Sequence, residues 1–130
     1  MDHVTLARIY NDYIACLNAR DWASLDGFVD IDVVHNDRRI GLAGYRAMLE
    51  QNVRDIPDLR FETDLLLVQP PQIGSRLKFD CRPTGLFLDL PVDGRHVVFY
   101  ENVFYRFKRG RIVQVWSIVD KAAIQAQLEA

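Results

Sequence analysis

Apolar residues recur at helical spacing at the start of the chain. Leu6, Ile9, Tyr10, Tyr13 and Leu17 make one stripe between Val4 and Leu17, which predicts an amphipathic helix. Asp21 stands where it can cap a short second helix whose Trp22, Leu25, Phe28 and Val29 turn inward. The β-branched stretch "IDVVH" (31–35) predicts a strand, and "GLAGYRAMLEQNV" (41–53) a third helix with Tyr45, Met48, Leu49 and Val53 on its inner stripe. Pro57 closes that region. The period then changes from helical to alternating. "LRFETDLLLVQ" (59–69) and "SRLKFDCR" (75–82) predict strands, separated by Pro70 and Pro71. "PTGLFLDLPVDG" (83–94) reads as a loop, unusually apolar and therefore ordered, either as a lid or against a partner. "RHVVFYENVFYRF" (95–107) and "IVQVWSIV" (112–119) predict a hairpin turning at "KRGR", with Gly110 at a positive φ. Asp120 is placed to cap a terminal helix, "KAAIQAQLEA". Helices first and antiparallel strands afterwards argue for an α+β fold, with helices on one face of a curved sheet. One domain covers residues 1–130.

Composition narrows the function classes. The net charge of −2 offers no basic field for nucleic acid. No apolar run is long enough to span a bilayer, and "MDHVTLARIY" lacks the pattern of a signal peptide. Cys16 and Cys81, the only cysteines, read as free thiols in a reducing, cytoplasmic compartment. The three histidines are scattered, and neither a zinc spacing nor a nucleotide-binding loop occurs, so no metal or cofactor is called for.

Two motifs in the second half carry a family resemblance. "TGLFLDLPVDGR" keeps Gly85, Pro91, Gly94 and Arg95 of a glycine-proline loop, with Asp89 in place of its middle glycine. "RFKRGRI" keeps Arg106, Gly110, Arg111 and Ile112 of a hairpin. With the order of elements, these resemble the SnoaL-like polyketide cyclases and their ester-cyclase relatives, of the nuclear-transport-factor-2-like superfamily. The resemblance implies a cone-shaped domain, an apolar pocket and cofactor-free closure of a polyketide ring. It also implies a catalytic aspartate on the closing strand and a histidine on the strand before it. Counting from Gly110 places these at Ser117 and Val103, so neither residue is kept.

If Val103 and Ser117 face inward, alternation puts Glu101, Tyr105 and Phe107 beside the first, and Val113, Val115 and Val119 beside the second. Glu101 then fits a proton carrier in an apolar pocket, with Tyr105 and Ser117 as hydrogen-bond partners; the alternative is a strand-end carboxylate paired with a nearby arginine or solvated. His35 and Asp37 could supply a titrating pair at the pocket rim, or a plain polar turn. Arg82 is a candidate anion clamp, although Lys78, Asp80 and Arg82 share the face more simply turned to solvent. Tyr13 and Tyr45 present hydroxyls from inward stripes, and Val103 and Val115 would line the pocket. Phe104 and Trp116 fall on the outer sheet face, a surface suited to a homodimer. Two function classes stay open: an acid/base cyclase or isomerase acting on a small hydrophobic molecule, and a non-catalytic ligand-binding or dimeric interaction module.

Overall fold

The computed structural model describes residues 1–130. Helix α1 (His3–Asn18) opens the chain, with the Asp2 side chain accepting from the Thr5 N–H at 2.7 Å. A single 3-10 segment, Trp22–Gly27, replaces the expected second helix, and Asp21 makes no side-chain cap there. Strand β1 (Val29–His35) begins two residues earlier than its β-branched core suggests, because the fully buried Val29 joins it. The short β2 (Arg38–Arg39) turns back on it before α2 (Gly41–Asp55). Strands β3 (Glu62–Gln69) and β4 (Gln72–Cys81) follow, then a small ribbon of β5 (Leu86–Phe87) and β6 (Leu90–Pro91). The long strands β7 (Val97–Lys108) and β8 (Arg111–Val119) lead to α3 (Lys121–Glu129). Asp120 caps α3, accepting from the Ala123 N–H at 3.1 Å, a contact that contributes ~1 kcal/mol.

The six-stranded sheet has the order β2-β1-β8-β7-β4-β3. Every pair is antiparallel except β1 with β8, which run parallel. Helices α1 and α2 cover the inner face, which gives the expected α+β architecture. Along β7 the alternation is as read from the sequence: Val97, Phe99, Val103, Tyr105 and Phe107 are buried, while Asn102, Phe104 and Arg106 are exposed. Along β4, Leu77, Phe79 and Cys81 point in, and outward Asp80 pairs with His96. Strand β8 departs from the expectation. A bulge places Phe107 opposite Ile112 and Arg106 opposite Gln114, so Ile112 enters the core and Val113 is left half-buried outside it. Cys16 and Cys81 are buried free thiols, and burial pushes the Cys81 thiol up to about 12, where it is inert as a nucleophile at neutral pH.

The segment before β3 carries no ladder of its own, yet Leu59 and Phe61 are buried. Side chains at the end of α1 hold it instead. Asn18 Nδ2 donates to the Phe61 carbonyl at 2.9 Å, and the Phe61 N–H returns a bond to Asn18 Oδ1 at 2.7 Å. Arg20 donates to the Leu17 and Leu59 carbonyls from the two ends of its fork. Asn18→Ala leaves two backbone groups of Phe61 unpaired and is expected to cost about 1–3 kcal/mol, read from the urea midpoint. An unchanged midpoint would show that the clamp is dispensable.

A candidate acid/base cavity

The inner faces of β7, β8 and β4 and the stripes of α1 and α2 surround a cavity of about 400 Å³. Its walls include Leu17, Met48, Leu49, Phe61, Leu77, Val103, Val115 and Val119. Its polar groups are few and come from separate elements: Tyr13 from α1, His35 and Asn36 from the end of β1, Tyr45 and Asn52 from α2, Glu101 and Tyr105 from β7, Ser117 from β8, and Lys121 at the rim. A smaller chamber of about 70 Å³ adjoins it and shares Asn52, Phe61, Glu101 and Val119 with it.

Glu101 is the acid of this cavity. Its partner is not an arginine, as one reading of the sequence had it, but Ser117, whose Oγ donates to Glu101 Oε2. Burial raises the Glu101 pKa above its ordinary 4.5, and the Ser117 hydrogen bond opposes that rise without cancelling it. Ser117 sits directly across the ladder from Val103, so the two positions that the resemblance assigns to an acid and a histidine are neighbours on the cavity wall. Ser117 is itself fixed through its backbone. Its N–H donates to Asn36 Oδ1 at 2.8 Å, and Asn36 Nδ2 donates to its carbonyl at 3.1 Å. Asn36 thus continues the parallel pairing of β1 with β8 one residue past the strand end.

The tyrosines form a connected floor. Tyr13 Oη and Tyr45 Oη lie 2.7 Å apart, joining α1 to α2. Tyr10 Oη donates to Ser75 Oγ at 2.7 Å and lies 3.5 Å from Tyr105 Oη. Tyr10 packs obliquely against Tyr105 at 5.2 Å between centroids, and Tyr13 stands edge-on to Tyr105 at 6.1 Å. Burial raises the pKa of the Tyr13, Tyr45 and Tyr105 hydroxyls above 10.0, so all three remain proton donors at neutral pH. His35 stands edge-on to the Tyr45 ring, with centroids 6.3 Å apart. Burial lowers its pKa below 6.5, and the imidazole is neutral at pH 7.

Most of the side chains singled out from the sequence therefore meet. Glu101, Ser117, Tyr105, His35, Tyr13, Tyr45, Val103 and Val115 all line the cavity. Asp37 and Arg82 do not. Asp37 is exposed in the β1–β2 turn at a φ of 65°, and Arg82 is exposed just past β4, where its backbone N–H donates to Asp58 Oδ1 at 3.1 Å. Asn36, Asn52, Tyr10 and Ser75 are the residues that sequence reasoning missed. Asn52 lay within reach of it, since it falls seven residues after Tyr45 on the inner stripe of α2. The apolar segment 83–94 is an ordered ribbon: Phe87 packs on Phe99 at 5.7 Å, Leu88 reaches the cavity, and Leu86 stays exposed. No three histidine, cysteine, aspartate or glutamate side chains converge to hold a metal ion. No helix is long and apolar enough to cross a membrane.

Comparison with known proteins follows the same lines. The family model for SnoaL-like polyketide cyclases matches residues 7–128. The crystal structure of a SnoaL-like polyketide cyclase from Agrobacterium tumefaciens is 48% identical over 98% of this chain and 99% of that one, with a TM-score of 0.94. TsrD from Streptomyces laurentii (23% identity, 98% and 97% coverage, TM-score 0.83) and IdmH from Streptomyces antibioticus (18%, 96% and 99%, 0.83) share the fold. No curated protein sequence matches the chain. A match across nearly the whole length, with a solved relative of almost half-identical sequence, places this chain in the SnoaL-like polyketide cyclase family.

Proposed function

We propose that the protein binds a small, mainly apolar molecule bearing a carbonyl group, polyketide- or terpenoid-like in skeleton. It moves a proton within that molecule in a ring closure, isomerisation or hydration that needs no cofactor. One contact carries this reading: the Glu101 carboxylate, held toward its protonated form by burial, accepts from Ser117 Oγ at the wall of an apolar cavity. The resemblance gives the position of Ser117 to an aspartate. Glu101 supplies a carboxylate beside that position from the neighbouring strand.

The roles follow from the chemistry of the groups. Ionised Glu101 takes a proton from the carbon next to the carbonyl and, once protonated, returns it to the product; a pKa raised toward neutrality suits both halves of that cycle. Negative charge then develops on the carbonyl oxygen. The Tyr13–Tyr45 pair holds two hydroxyl protons and uses one between its own oxygens, which leaves one for that oxygen. Ser117 keeps Glu101 Oε2 in place and leaves Oε1 to the ligand. Neutral His35 at the rim is a second proton acceptor.

The outer sheet face supports a second part of the reading, a homodimer. Leu65, Leu67, Phe104 and Ile118 are all exposed there, beside a Trp116 whose ring lies 5.7 Å from the Arg106 guanidinium carbon. An apolar surface that runs across β3, β4, β7 and β8 fits a second copy of the same face.

Two measurements test these roles. Aromatic and terpenoid ketones that raise the melting temperature are to be incubated with the protein in D2O. Deuterium is expected next to the carbonyl, at a rate that rises with pH through the raised Glu101 pKa, and Glu101→Gln is expected to slow it about 100-fold or more while still binding. Equal rates in the two proteins would remove Glu101 from the chemistry. Ligands recovered without deuterium from the unaltered protein would make the cavity a binding site only. For the outer face, Phe104→Glu is expected to give a monomer in sedimentation where the unaltered protein is a dimer; a monomer in both would contradict the assignment of that face.

A further inference from the structure

Two polar side chains, Asn52 and Glu101, line both the main cavity and the smaller chamber beside it. Every other wall of the small chamber is apolar: Ile56, Leu59, Phe61, Phe79, Phe87, Phe99 and Val119. Its four phenylalanines pack on one another, Phe79 on Phe61 at 5.6 Å, and Phe99 on Phe79 at 5.2 Å and on Phe87 at 5.7 Å. About 70 Å³ of apolar space has room for on the order of five heavy atoms, since one water needs about 10–15 Å³. Beyond the mouth that Asn52 and Glu101 flank, such a chamber accepts a short alkyl group and offers no partner to a polar one.

The Asn52 carboxamide has no partner of its own. Its backbone carbonyl receives the helix-ending bond from the Ile56 N–H, while its side chain, unlike those of Asn18 and Asn36, bonds to no protein group. No enclosed side-chain nitrogen or oxygen lacks a hydrogen-bond partner, so this amide opens onto free space, and that space is the cavity it lines. Glu101 Oε1 is in the same situation, since only Oε2 is bonded to Ser117. A half-buried, largely apolar mouth flanked by one free amide and one free carboxylate oxygen is complementary to a carbonyl whose neighbouring carbon carries a short chain.

We infer that Asn52 is a positioning residue and the phenylalanine chamber a specificity pocket: Asn52 Nδ2 donates to the substrate carbonyl oxygen, the bulk of the substrate fills the main cavity, and a short alkyl arm enters the small chamber. This deepens the proton-transfer reading and rests on it for the role of Glu101. The arm runs past Glu101, so the carbon it shares with the carbonyl presents its hydrogens to Oε1. The substrate class is a ketone with a large ring system on one side and an arm of about two to four carbons on the other. The arm length is set by the chamber, and the orientation by Asn52.

The test uses 2-naphthyl alkyl ketones with arms from methyl to hexyl, and the matching 2-alkylnaphthalenes that lack the oxygen. Affinity, read by calorimetry, is expected to rise about four-fold per added methylene up to propyl or butyl and to fall at hexyl. Asn52→Leu is expected to weaken the ketones about ten-fold and to leave the alkylnaphthalenes unchanged, a difference that mere loosening of α2 would not produce. Val119→Phe, which fills the chamber, is expected to move the optimum to methyl. A flat dependence on arm length, no binding by any member, or equal losses of ketone and hydrocarbon in Asn52→Leu would each overturn the inference. The proton-transfer reading fails separately: if the arm-length optimum and the Asn52 effect appear but no deuterium enters the arm, the pocket stands and the role of Glu101 does not.

Discussion

The register of β7 against β8 decides which side chains enter the cavity. The two strands are joined by Arg109 and Gly110, both at positive φ (53° and 77°), a geometry whose twist matches that of the strands it connects. Lys108 therefore meets Arg111, and five pairs further up the ladder Val103 meets Ser117. A slip of one residue would turn Glu101, Val103 and Tyr105 to the outer face and bring Asn102, Phe104 and Arg106 inside. The apolar inner face penalises that slip heavily, because it would bury Arg106 and expose Tyr105 and Phe107. Packing and site geometry thus depend on the same constraint. The bulge at Val113 absorbs the one-residue mismatch near the turn and leaves the register above it intact.

Within that frame the electrostatics of the cavity are set by scarcity. One carboxylate faces several tyrosine hydroxyls and a neutral imidazole across apolar walls. Burial is the main cause that raises the pKa of Glu101 and of the tyrosines alike, and the Glu101 charge adds to it for Tyr13, Tyr45 and Tyr105. The cavity accordingly holds donors that stay protonated and one carboxylic acid whose pKa burial raises above 4.5. The hydrogen bond from Ser117 keeps Glu101 from being an orphaned buried charge, and Asn36 keeps Ser117 in place by gripping its backbone on both sides.

Much of this was legible in the chain. Alternation along β7 and the helical stripes of α1 and α2 place Glu101, Tyr105, Tyr13 and Tyr45 on inward faces, because each period is local and each face is buried throughout. What stayed hidden depends on relations between distant segments. The Tyr10–Ser75 bond joins residues 65 apart, and the Asn36 clamp exists only because β1 runs parallel to β8. The bulge that exchanges Val113 for Ile112 has no residue signature, since both are β-branched and apolar. Asp37 and Arg82 were plausible by proximity to His35 and to β4, but a turn at positive φ and a strand end carry them into solvent. The ribbon at 86–91 reads as a loop in the sequence because its turn residues, Leu88 and Asp89, adopt positive φ without a glycine. Asn52 was missed for a simpler reason: a polar residue on an apolar stripe reads as the edge of that stripe unless a cavity lies opposite.

The central claim is that Glu101 is an acid whose proton is held by burial and moderated by Ser117. A direct check is an NMR titration of the Glu101 side-chain carboxyl carbon in the unaltered protein and in Ser117→Ala. The account predicts a midpoint above the ordinary 4.5 in the unaltered protein, and a further rise when the Ser117 hydroxyl is removed, since that hydrogen bond lowers the pKa. A midpoint at or below 4.5, or one that Ser117→Ala leaves in place, would contradict it.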